Sequence, residues 1–177
     1  LPRFVLAVLV GLVLAQTGAA TQALCRNPLA DPSIIGISAG AAMVAVAFIA
    51  FSAQFNFNAQ YYLPYAAFLG ALLVTSLVYL IAKQHRQVNI TTLILVGVAI
   101  NSLSFAVIGL LSYFADDSAL RLINYWTMGS LGGANWDAIT QATPLLLLSI
   151  LGLWRLKEPM NLLLIGESQA QYLGVNT

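Results

Sequence analysis

Charged residues are scarce in this sequence. Lysine, arginine, aspartate and glutamate make up 7% of the 177 residues, whereas a soluble domain carries about 25%. Apolar residues make up 60% of the chain, and the mean hydropathy is +0.86. So few charges cannot cover a surface that faces water on all sides, and a net charge of +1 gives no basic field for nucleic acid. The composition therefore indicates a membrane protein.

Residue types that support catalysis or metal binding are also sparse. Cys25 is the one cysteine and His85 the one histidine, which excludes an internal disulfide and a Cys/His metal cluster. The sequence has no G-x-x-x-x-G-K-[ST] loop, so any work driven by nucleotide hydrolysis must draw on another chain. It also offers no Ser/His/Asp or Cys/His arrangement. We expect no enzyme activity, no metal site and no bound cofactor in this chain.

Five apolar runs are long enough for helices that cross a bilayer, which takes about 20 residues each. The in–out alternation of a membrane β-barrel is absent, and strands are not expected. We therefore predict an all-α, polytopic transmembrane helical bundle that forms one domain over residues 1–177. The predicted spans are 4–25, 34–51, 63–82, 92–114 and 138–156.

Basic residues flank these spans unevenly. One side of the membrane collects five of them and the other only Arg3 and Arg121. Because cytoplasmic links are enriched in Lys and Arg, we expect the N-terminus outside and the tail after the fifth span in the cytoplasm. Apart from Arg155 at the end of the fifth span, no Asp, Glu, Lys, Arg or His lies within a span, which weighs against an ion-driven secondary carrier. The five predicted cytoplasmic residues are Arg26, Lys83, Arg86, Arg155 and Lys157.

Small residues recur at the spacing of helix-packing motifs. Gly36 and Gly40 form a G-x-x-x-G pair at the start of the second predicted span. Such pairs let helix backbones approach closely in lipid. We interpret this pair as packing within the bundle rather than as a ligand site.

Three blocks of sequence carry a family resemblance. The first combines residues 1–3 (LPR), 26–32 (RNPLADP) and 36–41 (GISAGA); the others are 125–131 (YWTMGSL) and 166–175 (GESQAQYLGV). In this order and at these separations they resemble the FecCD-type permease subunits of ABC importers for iron-siderophores, heme and vitamin B12. The resemblance extends over essentially all 177 residues.

This resemblance implies an importer in the bacterial inner membrane. Its full-length permease subunit would have about ten spans, of which this chain would supply the second to sixth and a cytoplasmic coupling segment at 159–177. The implied partners are a second permease subunit, identical or different, two ATP-binding subunits that hydrolyse ATP, and a periplasmic or lipid-anchored binding protein. The expected cargo is a ferric siderophore, with heme or cobalamin as alternatives. A non-transporting membrane assembly subunit is the rival interpretation.

The resemblance also assigns functional residues. In the tail, small residues at helical spacing would leave a shallow surface for the ATPase, although a plain surface helix would show the same pattern. The predicted ATPase-docking residues are Gly166, Glu167, Ala170, Leu173 and Gly174.

A second predicted site is the cytoplasmic mouth of the pathway. The turn after the first span would form it together with the residues just before the fourth span. A well-made turn between two helices accounts for the same prolines and asparagines equally well. The predicted mouth residues are Asn27, Pro28, Leu29, Asn89 and Ile90.

Polar residues within the spans are candidates to line the pathway. Burying an amide side chain in lipid without a hydrogen bond costs about 2–7 kcal/mol. Asn101 and Gln16 must therefore each meet another helix or water. Ser102 belongs to the same polar group. Hydrogen bonding between helices and lining of the pathway both remain open for these three residues.

Arg3 is the remaining candidate, at the outer end of the first span. The sequence gives it no obvious internal partner. The resemblance implies that an arginine here meets a carboxylate of the binding protein. The alternative is that the side chain reaches a lipid phosphate.

Overall fold

The computed structural model describes residues 1–52, 59–84 and 87–174. Within these ranges the chain is almost entirely helical, so the predicted all-α membrane fold is confirmed. A 3₁₀ turn at Pro32–Ile35 precedes the second helix. The helices are α1 (Pro2–Cys25), α2 (Ile37–Ser52), α3 (Ala59–Ala82), α4 (Ile90–Phe114), α5 (Asp117–Met128), α6 (Trp136–Arg155), α7 (Lys157–Leu163) and α8 (Glu167–Tyr172).

Four helices in the described ranges are long and apolar enough to cross a membrane: Pro2–Cys25, Tyr61–Ala82, Ile90–Phe114 and Trp136–Arg155. The second of the five predicted spans is shorter than expected. Helix α2 has 16 residues, which rise about 24 Å, whereas the hydrocarbon core is about 30 Å thick. The 3₁₀ turn and the positive φ of Gly36 (+89°) keep residues 34–36 out of the helix.

Two predicted links contain structure that the sequence analysis missed. The link 115–137 contains α5, whose first turn is capped by the Asp116 side chain. In the link after α3, strand β1 (Lys83–Gln84) pairs antiparallel with β2 (Gln87–Val88). The expectation that strands are absent is therefore wrong for these four residues, which the pairing holds at the ends of α3 and α4.

The chain divides into two compact units, Leu1–Asp31 with Ser130–Thr177, and Pro32–Gly129. This is a division by packing, and the predicted single permease domain over residues 1–177 stays a prediction.

In the unit Pro32–Gly129, glycines bring the helix backbones into contact. A Cβ on Gly40 of α2 would lie 2.5 Å from the Cβ of Val74 and 2.9 Å from the carbonyl oxygen of Gly70, both on α3. This approach confirms helix packing at Gly40. Two buried clusters form the core of the unit: Ile35, Val74, Val78, Ala82 and Leu93, and Ala45, Val46, Ile49, Leu63 and Ile123.

In the unit Leu1–Asp31 with Ser130–Thr177, α1 packs along α6 and α7. Only 6% of the most apolar stretch of α1, and the same share of α6, is buried. The remaining side chains of these helices present apolar faces that suit lipid or further protein.

Candidate functional site

The first half of the predicted mouth is a self-contained turn. Arg26 ends α1 with a left-handed backbone (φ 48°), and its N–H donates to α1 carbonyl oxygens. The side-chain oxygen of Asn27 accepts a hydrogen bond from the N–H of Leu29 at 2.9 Å. Pro28 is exposed, and the Leu29 side chain is 86% exposed. The hydrogen bond within the turn therefore explains why an asparagine stands at position 27. The exposed apolar side chain of Leu29 has no such explanation in the turn.

The second half of the predicted mouth lies at the start of α4. The side-chain oxygen of Asn89 accepts a hydrogen bond from the N–H of Thr92 at 3.1 Å, which makes Asn89 the N-cap of the helix. Ile90 follows as the first helical residue and is half-buried. The structure thus gives Asn89 a capping function, and a role for both residues at the mouth stays a prediction.

Asn101 ties α4 to the turn before α2. Its side-chain Nδ2 donates to the carbonyl oxygen of Ser33 at 2.9 Å, and the same oxygen accepts from the N–H of Gly36 at 3.0 Å. The Oδ1 atom of Asn101 is buried and accepts no hydrogen bond from the residues that the structure describes. Ser102, in contrast, donates to the carbonyl oxygen of Val98 at 3.1 Å within the same helix. A hydrogen bond between elements therefore accounts for the Nδ2 atom of Asn101, while its Oδ1 atom has no partner among the described residues.

Gln16 faces a cavity in the unit Leu1–Asp31 with Ser130–Thr177. Its Oε1 atom is buried and has no hydrogen-bond partner within the described part of the chain. The cavity measures about 200 Å³, below the roughly 300–1,000 Å³ of sites that enclose a drug-sized ligand. It is therefore too small to enclose a metal chelate. Its lining residues are Gln16, Ala19, Ala20, Ala23, Leu153, Trp154, Lys157, Met160 and Asn161.

Arg3 has an internal partner that the sequence analysis missed. Its guanidinium donates to the carbonyl oxygen of Gly132 at 2.9 Å. The N–H of Gly132 in turn donates to the hydroxyl of Ser130 at 2.9 Å. The expectation that Arg3 lacks an internal partner is therefore wrong. A guanidinium has five N–H donors, so the bond to Gly132 still allows a carboxylate partner.

The tail ends in the short helix α8. Gly166 (φ +121°) precedes it and Gly174 (φ +88°) follows it, two conformations that favour glycine. Leu173 is 60% exposed, and Tyr172, which the sequence analysis did not single out, is 91% exposed. The side chain of Glu167 lies outside the described part of the structure.

Ala170 requires a correction. Its side chain is fully buried, in a helix that contacts α7. It therefore cannot belong to an exposed face shared with Gly174, and Leu173, Gly174 and Tyr172 form the exposed part of the tail.

The whole chain, residues 1–177, matches the FecCD transport family. It is 42% identical over 178 residues to the hemin transport system permease protein HmuU of Yersinia pestis, covering 99% of this chain and 53% of that protein. It is 41% identical over 176 residues to the cobalamin import system permease protein BtuC of Halobacterium salinarum, covering 99% of this chain and 46% of that protein. The chain thus spans about half the length of these curated relatives.

A solved structure shares the fold. It shows an inward-facing conformation of a transporter assigned to the metal-chelate type of ABC transporter. The match has a TM-score of 0.87 and 33% sequence identity, and it covers 99% of this chain and 55% of the solved chain.

Proposed function

The chain belongs to the FecCD transport family, and we propose that it forms part of the permease of an ATP-driven importer that carries a metal chelate across the bacterial inner membrane. The observation that carries this proposal is the family match over all 177 residues. The helices long enough to span a membrane agree with it. The permease supplies the pathway, while separate ATP-binding subunits hydrolyse ATP and a periplasmic or lipid-anchored protein delivers the chelate. A second permease subunit, identical or different, completes the pathway.

We propose a metal tetrapyrrole, hemin or cobalamin, as the cargo. Two relatives at 42% and 41% identity are named for hemin and cobalamin, respectively. The ferric siderophore expected from the resemblance is the alternative. None of the three would fit the cavity at Gln16, so the chelate would pass along a surface that is completed by other parts of the importer.

Roles for individual residues are proposed from where each one lies in the structure. Leu29 offers an exposed apolar side chain for closing the mouth. Leu173 and Gly174 at the end of α8 would dock in the ATPase, and Arg3 would meet a carboxylate of the binding protein. Asn101 would line the pathway, since its Oδ1 atom accepts no hydrogen bond from the described residues and is free to meet a partner supplied by the rest of the importer.

Reconstitution of the complete importer tests the function. The permease, the ATP-binding subunits and the binding protein would be placed in proteoliposomes, and uptake of hemin, cobalamin and a ferric siderophore measured with and without ATP. We expect ATP-dependent uptake of hemin or cobalamin, competed by an excess of the same chelate. Uptake of the siderophore alone would overturn the proposal that the cargo is hemin or cobalamin. Absence of uptake of all three, with no ATPase subunit copurifying with the chain, would favour the assembly subunit.

A further inference from the structure

The cavity beside Gln16 combines features that transport of a chelate does not explain. Three alanines of α1, Ala19, Ala20 and Ala23, form a smooth apolar wall. Its volume of about 200 Å³ is several times the roughly 30 Å³ that one water molecule occupies in the liquid. The site therefore has room for part of a larger, mainly apolar molecule, and its alanine wall suits a hydrocarbon chain.

Polar groups stand around this apolar wall. The Nζ atom of Lys157 lies 4.9 Å from the centroid of the Trp154 ring, so the cation is held beside the cavity. The Asn161 amide is a further lining group. The buried Oε1 of Gln16 accepts no hydrogen bond from described residues. Because the two ends of an amide can exchange by rotation, this position can present either an acceptor or a donor.

The position of the cavity along the chain points to one kind of occupant. Lys157 follows α6 directly, and Arg155 lies in the last turn of that helix. Glu158 is the one acid in this short stretch and does not line the cavity. The basic residues predict that this end of α6 faces the cytoplasm. There, basic pockets between membrane helices bind anionic lipid head groups, and Trp rings lie at head-group level.

We propose that this cavity binds one anionic phospholipid of the cytoplasmic leaflet. The phosphate would pair with Lys157 and accept a hydrogen bond from Asn161, and an acyl chain would lie along the alanines of α1. An ester carbonyl of the lipid would accept from the rotated Gln16 amide. Charge complementarity with Lys157 sets the preference for an anionic over a zwitterionic head group. This site does not depend on the proposed transport function.

Trp154 reports on the site directly, because it lines the cavity. In the 177-residue chain carrying Trp126→Phe and Trp136→Phe, Trp154 is the remaining tryptophan. The chain would be placed in phosphatidylcholine nanodiscs, and dibrominated phosphatidylglycerol or dibrominated phosphatidylcholine titrated in at equal mole fractions. Bromine quenches tryptophan at contact distance. We expect saturable quenching at a low mole fraction of phosphatidylglycerol, with about a fivefold preference over phosphatidylcholine, the effect of one lysine at an anionic membrane surface.

Two lysines give a matched comparison. Lys157→Gln should abolish the preference for phosphatidylglycerol. Lys83→Gln should leave it unchanged, although Lys83 also lies over an aromatic ring, at 5.7 Å from the centroid of Tyr79, and is also predicted to be cytoplasmic. Gln16→Leu should weaken quenching by phosphatidylglycerol while preserving part of the head-group preference. Circular dichroism would confirm that each variant folds.

Four results would overturn the proposal. Equal quenching by the two lipids would show ordinary contact with bulk lipid, and an equal effect of Lys83→Gln would show a general surface charge effect. Absence of quenching would show that another protein segment fills the cavity. Displacement of phosphatidylglycerol by millimolar inorganic phosphate would show an anion site that needs no lipid.

Discussion

Glycines of the membrane helices differ sharply in what surrounds them. A Cβ at Gly97 of α4 would collide with the carbonyl oxygen of Ile34 and lie 3.0 Å from the Cα of Ile35. These are backbone atoms of the turn before α2, which cannot move aside as the end of a flexible side chain can. A Cβ at Gly109 on the same helix would meet nothing within 4 Å.

Gly97→Ala should therefore destabilise the protein, and Gly109→Ala should not. Overpacking of a close contact costs typically about 1–3 kcal/mol, and here the turn and α4 would have to separate. At Gly109 the added methyl group has space, and alanine favours a helix over glycine. Unfolding of both variants in mixed detergent micelles measures the difference. Equal stability of the two would show that α4 does not pack against the turn through Gly97.

Only part of this packing could be predicted from the sequence. The pair Gly36 and Gly40 predicted close helix approach, and Gly40 makes it from within α2. Gly36 lies in the turn with a positive φ, where a Cβ would lie 3.3 Å from the Cγ1 of Val74. Gly97 gave no signal, because its neighbours four residues away are Leu93 and Asn101 rather than small residues. Its importance comes from residues more than sixty positions earlier, a proximity that only the folded chain creates.

Arg3 makes a local contact and is also predicted to dock the binding protein. Because the guanidinium bonds to Gly132, Arg3→Glu removes that contact and also reverses the charge. We expect weaker binding of the binding protein, mainly through like-charge repulsion and slower encounter, and we expect the loss to shrink as salt screens it. Affinity in nanodiscs at low and high salt measures this effect.

Arg121→Glu is the matched control for Arg3. It makes the same charge change on the same predicted outer side, where Arg121 donates within α5 to the carbonyl oxygen of Asp117 at 3.2 Å. Equal losses in the two variants would indicate a general charge effect. An unchanged affinity of Arg3→Glu at low salt would end the docking hypothesis.

Asp116 is the N-cap of helix α5. The Asp116 carboxylate accepts hydrogen bonds from the N–H of Ala119 and the hydroxyl of Ser118, both at 2.7 Å. These bonds, first that of Ala119 and then that of Ser118, hold the pKa of Asp116 below its ordinary value. The stability they contribute is therefore present above the unfolded pKa of about 3.9 and is lost as the pH falls through the folded pKa.

Asp116→Asn separates charge from capping, because Asn keeps the acceptor oxygen but cannot ionise. We expect the wild type to be slightly more stable than Asp116→Asn at pH 7, and the difference to close as the pH falls below about 4. Thermal unfolding in micelles across this range measures both proteins, and a carboxyl titration by NMR locates the folded pKa. A difference that is independent of pH would contradict the role of the charge.

Among the secondary-structure elements, the long helices were predicted from the sequence and α5 was missed. The sequence already shows an N-cap residue, Asp116, followed by apolar residues at helical spacing. Ile123 belongs to the buried core cluster, and Ala119, Leu122 and Trp126 pack against it. The helix was missed because its 12 residues are too few to cross a bilayer. The shortened α2 was missed because Ile34 and Ile35, which belong to the 3₁₀ turn, continue the apolar run of the helix that follows.

The exposed end of α8 makes a prediction about the assembled importer. Gly174→Trp should lower substrate-stimulated ATP turnover several-fold, because a large ring would hold Leu173 away from the ATPase. Glycine is also favoured here by its φ of +88°, so Gly174→Ala isolates the backbone strain, and we expect a smaller loss from it. Gly133→Trp is the matched control, since a Cβ at Gly133 would meet nothing within 4 Å and the residue is predicted to lie outside. Normal coupling in Gly174→Trp would show that this surface does not dock.

The number of membrane crossings depends on α2, the helix that is too short to span by length alone. If α2 crosses together with the turn before it, Leu29 and Tyr61 lie on opposite sides of the membrane, and if it does not, they lie on the same side. Replacing the one cysteine, Cys25→Ser, allows single cysteines to be introduced at these two positions, whose side chains are 86% and 49% exposed. We expect a membrane-impermeant maleimide applied to intact spheroplasts to label Tyr61→Cys but not Leu29→Cys, which should react only after the membrane is opened.

Leu131→Cys and Leu164→Cys calibrate this experiment, because the basic-residue asymmetry predicts that they lie outside and inside, respectively, and both side chains are exposed. Labelling of Leu29→Cys and Tyr61→Cys from one side would remove a crossing. If both positions lay in the cytoplasm, Leu131 and Leu164 would exchange their predicted sides; if both lay outside, these two residues would keep their sides and the N-terminus would lie in the cytoplasm. Agreement of all four positions would establish that α2 crosses despite its 16 residues, with the 3₁₀ turn at Pro32–Ile35 supplying the rest of the path through the membrane.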